Sequence, residues 1–463
     1  MHDSDAAFFQ RAVDELAQSL PDAALTRDPS VTIAYARDEA HLAPSAVPIA
    51  LVRAHCLEEV VTTMTWASAN GVPVVARGAG TGLSGGANAT AGCIVLSLAR
   101  MDRILDLDPV ARLAVVEPGV VNLDLDRAAG REGLMYAPDP SSRDACTIGG
   151  NVATNAGGLR CVKYGATRDE VLGLEAVLAD GAVLRTGGRT TKQAAGYDLT
   201  HLFVGSEGTL GIITEATLRL RSLPDRRPTT VVASFPTLAA AGQVVASTLA
   251  AGLAPSMLEL LDQVVVRALE SYRPLGLDPS TAAVLLAQFE DTSADEGARA
   301  LESLALRNGA DFVARSTTDD EAEALFDARR AAYPALERMG TTLVEDVGVP
   351  PTALVAMIES VEDVASRYDV TIGVIGHAGD GNLHPMLVTE PGDQAALERS
   401  WQAAAEICQR ALALGGTITG EHGVGLLKRP WLADEIGEVG LRVHSAIKHA
   451  LDPAGILNPG KAF

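Results

Sequence analysis

Residues 72–92 read VPVVARGAGTGLSGGANATAG, and this stretch decides which fold the chain can adopt. A short β-branched run leads into a loop that holds five closely spaced glycines. Gly80, Gly82 and Gly85 match the dinucleotide fingerprint G-x-G-x-x-G by letter. A Rossmann loop opens directly into a helix, whereas this loop continues into a second predicted strand at residues 94–98. The Rossmann interpretation therefore fails on its context.

The loop still suits an anion, because consecutive backbone N–H groups without Cβ atoms can form a concave nest for a diphosphate. Two further glycine-rich blocks, at residues 146–158 and 205–213, repeat the pattern. A glycine-rich hairpin without a ligand is the alternative, but it would cost conformational entropy without gaining packing. Three such loops in one domain indicate a long cofactor, with its diphosphate on residues 78–82 and 147–151.

The composition argues against a nucleic-acid partner. Asp and Glu number 59 against 37 Lys and Arg, a formal net charge of −22 that opposes binding to a phosphate backbone. Aromatic residues make up only 4% of the chain, so platforms for base stacking are few.

The cysteine pattern and the hydrophobic pattern indicate a cytoplasmic protein. No C-x-x-C pair is present, which argues against an iron–sulfur cluster, a zinc ribbon or a disulfide framework. The N-terminus carries Asp3 and Asp5 rather than a basic region before an apolar run, so we expect no secretory signal. No run of about 18 apolar residues occurs, so we expect no transmembrane segment. The five cysteines are Cys56, Cys93, Cys146, Cys161 and Cys408.

A chain of 463 residues exceeds a single hydrophobic core, and the stretch LPDRRP at 223–228 marks a boundary. We predict a first domain over residues 1–225 with its core at about 45–222. A second domain is predicted over 226–430, followed by a C-terminal helix and tail over 431–463 that packs back onto the first. The expected fold class is α+β.

Periodicity predicts the elements of both domains. The first is expected to hold helices at 6–20 and 57–70, and strands at 49–52, 72–76, 94–98, 113–116 and 172–178. The second is expected to be a sheet covered by helices on one side, with strands at 231–235, 283–289, 344–349 and 370–375, and helices at 238–251, 296–308, 320–339 and 351–368.

Two short C-terminal motifs carry candidate chemistry: GHAGDGNLH at 376–384 and GEHG at 420–423. His377 and His384 would point to opposite faces of a regular strand, but the glycines between them permit a tight reversal. With Glu421 they would form a His2Glu set that holds a divalent metal, Zn²⁺ by default, and leaves a coordination position open. His422 would then lie beside the metal as a general base. A pair of structural histidines on a hairpin is the alternative.

The chain resembles flavoproteins of the vanillyl-alcohol oxidase superfamily, specifically the D subunit of glycolate oxidase and the D-lactate and D-2-hydroxyglutarate dehydrogenases. The resemblance runs from about residue 45 to Lys461. It rests on the stretches RGAGTGLSGG at 77–86, APDPSS at 137–142, IGGN at 148–151, KYG at 163–165, GSEGTLG at 205–211 and NPGK at 458–461, together with the two histidine motifs. It implies a two-part FAD-binding domain and an α+β substrate (cap) domain.

The resemblance also implies residues that contact FAD. Some relatives attach the flavin covalently to a His in the first glycine loop, and this loop has none, so we expect non-covalent FAD. Cys146 and Cys161 are expected to be buried and structural. The expected FAD-binding residues are Arg77, Gly78, Ala79, Gly80, Thr81, Gly82, Ser84, Gly85, Pro138, Asp139, Thr147, Gly149, Gly150, Asn151, Thr154, Gly157, Gly158, Glu207, Gly208, Ile213 and Asn458.

The activity implied by the resemblance is oxidation of a 2-hydroxy acid to the 2-oxo acid. Arg329 matches the family's substrate arginine, and a guanidinium suits a carboxylate because it is permanently charged and bidentate. In the 2-hydroxyglutarate enzymes a Lys and an Asn meet the distal carboxylate, and the corresponding residues here are Val344 and Met386. Small monocarboxylates such as glycolate or D-lactate therefore fit better than a dicarboxylate. The alternatives are a D-2-hydroxyglutarate-type dehydrogenase, a redox-neutral flavin-dependent transferase, and a flavin subunit that only relays electrons.

The expected partners follow from the same resemblance. Because this chain has no iron–sulfur ligands, we expect the electrons of the reduced flavin to pass to a separate, non-oxygen acceptor. The candidates are a quinone, a cytochrome, or separate iron–sulfur and flavin subunits. Such an acceptor would place the protein at the membrane surface without a membrane span. The resemblance leaves open whether the protein forms a homodimer.

Overall fold

The structure is a computed structural model that describes residues 12–224, 228–274 and 276–463. The chain divides into two compact units. Unit 1 holds the described residues up to Ala156, then Ala166–Leu223 and Glu421–Phe463, and unit 2 holds Gly157–Gly165 and Pro224–Gly420. These limits differ from the predicted boundaries after residues 225 and 430, and the short segment at 157–165 was not foreseen.

Unit 1 begins with a four-stranded sheet, in which the three longer strands are parallel. Their side chains are almost all buried, as expected for a parallel sheet covered on both faces. The helix Leu57–Asn70 makes the crossover and ends at Gly71, whose φ of +62° caps it. The strands lie in the order Leu25–Thr26, Ala50–Arg53, Ile94–Ser97, Val74–Arg77.

A second sheet of unit 1 is antiparallel, with five strands. Its strands lie in the order Ile104–Asp108, Leu113–Val116, Ile212–Arg219, Val171–Val177, Val183–Gly187, and a separate pair joins Leu134–Met135 to Arg221–Ser222. The other helices of unit 1 are Pro29–Thr32, Asn122–Gly130, Ile148–Thr154, Thr167–Glu170, Thr200–Phe203 and Arg429–Leu451, with a 3₁₀ turn at Ile33–Tyr35. Residues 12–19 are helical, and the start of the helix predicted at 6–20 lies outside the described residues.

The described part of unit 2 forms an eight-stranded antiparallel sheet. Its strands lie in the order Phe312–Arg315, Thr229–Phe235, Ala283–Phe289, Met257–Asp262, Thr371–His377, Asn382–Thr389, Thr341–Val344, and Val347–Gly348 also pairs with Asn382–Thr389. The helices are Cys161–Tyr164, Leu238–Ala250, Gln263–Tyr272, Ala294–Arg307, Asp319–Arg330, Ala332–Glu337, Leu354–Tyr368 and Gln394–Ala413, with a 3₁₀ turn at Pro351–Ala353.

Helices cover both faces of this sheet, so the prediction of one covered side was wrong. Val265, from the helix Gln263–Tyr272, lies against Gly373 on the face that carries His377. Gly297, from the helix Ala294–Arg307, lies against the Phe289 ring on the opposite face. The physical reason is visible in the strands Met257–Asp262 and Ala283–Phe289, which are buried at every position and so need cover on both sides.

Some predicted elements of unit 2 have different limits. The helix predicted at 320–339 is two helices, Asp319–Arg330 and Ala332–Glu337, and the strand predicted at 344–349 is replaced by Thr341–Val344 and Val347–Gly348. The strands Met257–Asp262 and Asn382–Thr389 were not predicted, and both carry residues of the candidate site.

Candidate active site

The motif at 376–384 forms a β-hairpin that brings its two histidines together. Thr371–His377 pairs with Asn382–Thr389 so that Ile375 faces His384 and His377 faces Asn382. His377 and His384 are thus diagonal neighbours on one face of the sheet, with ring centroids 5.1 Å apart. Gly381, at a φ of +85°, allows the reversal. Both imidazoles are buried, away from bulk water.

The end of unit 2 lies against this hairpin. A Cβ atom on Gly420 would lie 2.4 Å from the Oδ1 atom of Asn382, so only glycine permits the close approach. Asn382 is the direct cross-strand partner of His377. Unit 1 resumes at the next residue, Glu421, whose Oε1 atom lies 4.0 Å from Nε2 of His422.

Arg329 is buried near the end of the helix Asp319–Arg330, and its guanidinium binds a carboxylate. Its Nε and Nη2 atoms donate to Oε2 of Glu259 over 2.7 and 2.6 Å. The other carboxylate oxygen of Glu259 lies 2.7 Å from Nδ1 of His377. The neighbouring Arg330 is instead half-exposed, with Nη1 3.6 Å from Oδ1 of Asp327.

Glu259 was missed by the sequence reasoning. Its signal was a single carboxylate in the middle of the apolar run MLELLD at 257–262, a position where charge is rare unless it is paired. Burial raises the pKa of Glu259, but the interactions of this carboxylate with His377 and Arg329 outweigh burial and hold that pKa below its ordinary value. The carboxylate is therefore ionised and shared between an imidazole and a guanidinium.

A second buried carboxylate lies beside the other histidine. Nδ1 of His384 lies 3.5 Å from Oδ1 of Asp346, and Thr419 donates to Oδ2 of Asp346 over 2.7 Å. His377 thus lies within hydrogen-bond distance of a carboxylate, as metal-binding histidines usually do, and His384 has a carboxylate 3.5 Å from one ring nitrogen. The donor set of unit 2 fits a divalent cation.

In unit 1 the first glycine loop offers an unused row of backbone donors. The N–H groups of residues 78–82 donate to no acceptor within the described part of the chain. Gly80 has a φ of +81°, and a Cβ atom there would collide with the Arg77 guanidinium, which donates to the Arg37 carbonyl over 2.9 Å. The Arg77 side chain therefore packs against the loop at Gly80. The row of backbone N–H groups fits the diphosphate nest expected for FAD.

The second predicted diphosphate-binding segment, residues 147–151, differs from the first because several of its backbone N–H groups already have protein acceptors. The N–H groups of Ile148 and Gly149 already bond to the carbonyls of Val120 and Pro118. The Oγ1 atom of Thr147 is buried and has no hydrogen-bond partner among the described residues. A Cβ atom on Gly78 would lie 2.3 Å from that oxygen, so Thr147 borders the first glycine loop. Thr147 is the polar group of this segment that fits a ligand.

Several other predicted FAD-binding side chains have protein partners. Asn151 accepts from Asn122, and the Thr154 hydroxyl donates to the Gly150 carbonyl. Asn458 donates to the carbonyls of Gly86 and Glu207. Asp139 and Ile213 are buried, and Gly208 lies in a turn with a φ of +69°. Their contact with FAD stays a prediction. The predicted contacts Gly157 and Gly158 belong to unit 2, and Pro138 offers its carbonyl to Asn122.

The segment that carries His422 is fastened to the same glycine loop. The Ser84 hydroxyl donates to the His422 carbonyl over 3.0 Å. Glu207 accepts the N–H groups of Val424 and Gly425 over 2.7 and 2.8 Å, one on each carboxylate oxygen. Burial raises the pKa of Glu207 to about 7 against the effect of these two donors. Ser84 and Glu207, predicted to bind FAD, thus fix the backbone at the candidate base and directly after it.

Lys461 is a further residue that the sequence reasoning left without a role. It is almost fully buried and donates to the Asn88 carbonyl and, over 2.7 Å, to Oδ1 of Asn458. Burial lowers the pKa of Lys461 to about 8. The lysine ties the C-terminal tail to the glycine loop of unit 1.

The five cysteines lie in the described ranges, and none of them forms a disulfide. Burial raises the pKa of Cys146. Cys161 is only partly buried, which corrects the expectation that it is a core residue.

Unit 1 thus offers a row of unused loop N–H donors among its described residues, and unit 2 offers a buried histidine pair with carboxylates beside it. Both features fit a flavin-dependent oxidoreductase. Residues 48–187 match the family model described as "FAD binding domain". Residues 224–462 match "FAD linked oxidases, C-terminal domain". The chain therefore belongs to the FAD-linked oxidase family.

Relatives of this family align along most of the chain. The glycolate oxidase subunit GlcD of Bacillus subtilis is 45% identical over 90% of this chain and 89% of its own. The D-lactate dehydrogenase of Archaeoglobus fulgidus is 40% identical over 87% of this chain and 89% of its own. The chain is thus an FAD-linked oxidoreductase.

Solved structures support the fold. The 4-ethylphenol oxidase of Gulosibacter chungangensis superposes with a TM-score of 0.81 at 20% identity, over 98% of this chain and 97% of its own. An alkyldihydroxyacetonephosphate synthase superposes with a TM-score of 0.76 at 18% identity, over 97% of this chain and 84% of its own. At these identities the likeness concerns architecture alone.

Within the described ranges, no helix combines the length and the apolar content needed to cross a bilayer.

Proposed function

We propose that this protein is an FAD-dependent dehydrogenase that oxidises a small 2-hydroxy monocarboxylate, glycolate or D-lactate, to the 2-oxo acid. The observation that carries the proposal is the buried pair His377 and His384 on one sheet face, with Arg329 linked to it through Glu259. Similarity to a glycolate oxidase subunit and to D-lactate dehydrogenases supports the same substrate class.

The residues divide the work of removing a proton from the substrate hydroxyl and a hydride from the carbon that bears it. His377, His384 and Glu421 would hold a divalent cation, Zn²⁺ by default. When bound, FAD accepts the hydride, and the cation lowers the pKa of the substrate hydroxyl as it does that of water. His422 would take the hydroxyl proton.

Arg329 would hold the substrate carboxylate. Its Nε and Nη2 atoms face Glu259, so the Nη1 side of the guanidinium is the one that would meet a substrate. A guanidinium retains donors on that side because its five N–H groups are arranged in a fixed planar fork. An ammonium in the same place would lose this geometry.

The proposed dehydrogenase would pass its electrons to a separate acceptor. A quinone, a cytochrome or separate iron–sulfur and flavin subunits would suit the proposed dehydrogenase. The cytoplasmic location and the homodimer expected above stay predictions as well.

We predict that monocarboxylates are preferred over D-2-hydroxyglutarate by about 10²-fold or more in kcat/KM, because an unpaired second carboxylate would lose several kcal/mol on desolvation. Val344 and Met386 face each other directly across the pair of strands, and Met386 is fully buried in an apolar cluster. Anaerobic bleaching of the flavin by a panel of 2-hydroxy acids measures this preference.

D-2-hydroxyvalerate is the matched control substrate in that panel, since it has the same carbon number as D-2-hydroxyglutarate and lacks the second carboxylate. Good turnover of the valerate with poor turnover of the glutarate supports the argument from charge. A higher kcat/KM for the glutarate would overturn it, and no bleaching by any 2-hydroxy acid would overturn the proposed function.

We also predict that the FAD is held without a covalent bond. The first glycine loop contains no His, and Cys146 is buried with its thiol near Asn151. Precipitation with acid should therefore release all yellow colour into the supernatant. Colour that stays in the protein pellet would locate a covalent attachment elsewhere in the chain.

A further inference from the structure

Glu259 is a buried carboxylate in the centre of the unit 2 sheet. It lies in the strand Met257–Asp262, directly opposite His377 on the neighbouring strand, and is 0% exposed. Its chain neighbours Leu258 and Leu260 are also buried. An ionised group in such a place is retained only with well-formed partners, because an unpaired buried charge is strongly destabilising.

The partners of Glu259 are two residues with separate roles in the proposed function. Oε1 lies 2.7 Å from Nδ1 of His377, and Oε2 accepts from Nε and Nη2 of Arg329. One carboxylate therefore contacts a proposed metal ligand through one oxygen and the proposed substrate clamp through the other.

We propose that Glu259 is a positioning residue that couples the metal ligand His377 to the substrate clamp Arg329. An N–H donated from Nδ1 to Glu259 selects the tautomer whose Nε2 lone pair points away, toward a metal. The same carboxylate holds the inner edge of the Arg329 fork and so sets the direction of its outer edge. This inference rests on the proposed function, and it concerns how His377 and Arg329 are held in position relative to each other.

The chemistry of the bridge predicts what a neutral replacement does. Glutamine has the same shape as glutamate but only one oxygen, so it can accept from one partner while its NH2 group faces N–H donors of the other. Substitutions of such outer-shell partners typically lower metal affinity by about 10–100-fold. A loss at the Arg329 side would show separately in the binding of substrate.

The experiment compares FAD-loaded wild-type protein with the Glu259→Gln variant. The affinity for Zn²⁺ is measured by competition with a chromophoric chelator, and KM for glycolate and D-lactate is measured at saturating Zn²⁺ with a dye acceptor. We expect Zn²⁺ affinity lower by about 10–100-fold and KM higher by about tenfold or more. Unchanged values of both quantities would overturn the inference.

Two further variants distinguish positioning from general loss of stability. Glu170→Gln removes a buried carboxylate that binds Arg221 in unit 1, and it should leave Zn²⁺ affinity and KM unchanged. Glu259→Asp keeps the charge and should recover part of both quantities, and it replaces the glutamine variant if that variant does not fold. A Glu170→Gln variant with the same losses would count against positioning by Glu259.

A double-mutant cycle tests the coupling itself. If Glu259 acts through Arg329, then the effects of Glu259→Gln and Arg329→Lys on KM will not multiply, because both remove the same arrangement. Fully multiplicative effects would overturn the coupling. Failure of the proposed function looks different, since wild-type protein would then neither bind Zn²⁺ nor reduce its flavin with glycolate or D-lactate.

Discussion

Replacing His422 by alanine should lower kcat by roughly 10²–10⁴-fold, the usual loss when a general base is missing. The hydrogen bonds that hold this segment use backbone atoms of His422, Val424 and Gly425, so alanine leaves them in place. FAD and metal content should therefore stay at the wild-type level. Single-turnover reduction of the flavin by glycolate or D-lactate measures the effect directly.

His449→Ala is the matched control for this prediction. His449 is an exposed residue of the helix Arg429–Leu451 in the same unit, so its loss should leave kcat unchanged. A His422→Ala variant that reduces its flavin at the wild-type rate would remove His422 from the role of base and leave it as a structural histidine.

Removal of the divalent metal should stop flavin reduction while FAD remains bound. A metal that acts as a Lewis acid is worth several kcal/mol, so the rate should fall by about 10³-fold or more and return when Zn²⁺ is added back. The flavin spectrum reports bound FAD, elemental analysis reports the metal, and anaerobic bleaching by glycolate or D-lactate reports the reaction.

Substitution of one ligand gives an independent measurement. His384→Ala should lower the metal content without unfolding unit 2, because its apolar cores are formed by other side chains. His201→Ala removes a partly exposed histidine of unit 1 that bonds to Asp198, and it should keep both metal and activity. Full activity of wild-type protein in metal-free form would return the histidine pair to a structural role.

The local features of the site were readable from the sequence. Glycines around His377 and His384 predicted a reversal, and the hairpin with its turn at 378–381 has that form. The glycine loop predicted a row of backbone donors, and residues 78–82 keep theirs unused by the described protein. Both are properties of short segments, in which φ > 0 and the lack of Cβ atoms restrict the backbone directly.

Two strands that are buried at every position were not predicted, because their sequences lack a periodic pattern. Met257–Asp262 and Asn382–Thr389 are buried at every position, so neither shows the alternation that marks a half-buried strand. The prediction of a sheet covered on one face was wrong for the same reason. Glu259 and Asp346 were not predicted as partners of the histidines.

The glycine loops, the hairpin and the family could be recognised from the amino-acid sequence, because each depends on residues close together in the chain. The groups that orient them became visible only in the folded protein. Glu259 contacts Arg329 across 70 residues and His377 across 118, and Glu207 contacts Val424 across 217. Such contacts depend on strand register and on how distant segments pack, which no local pattern of side chains specifies.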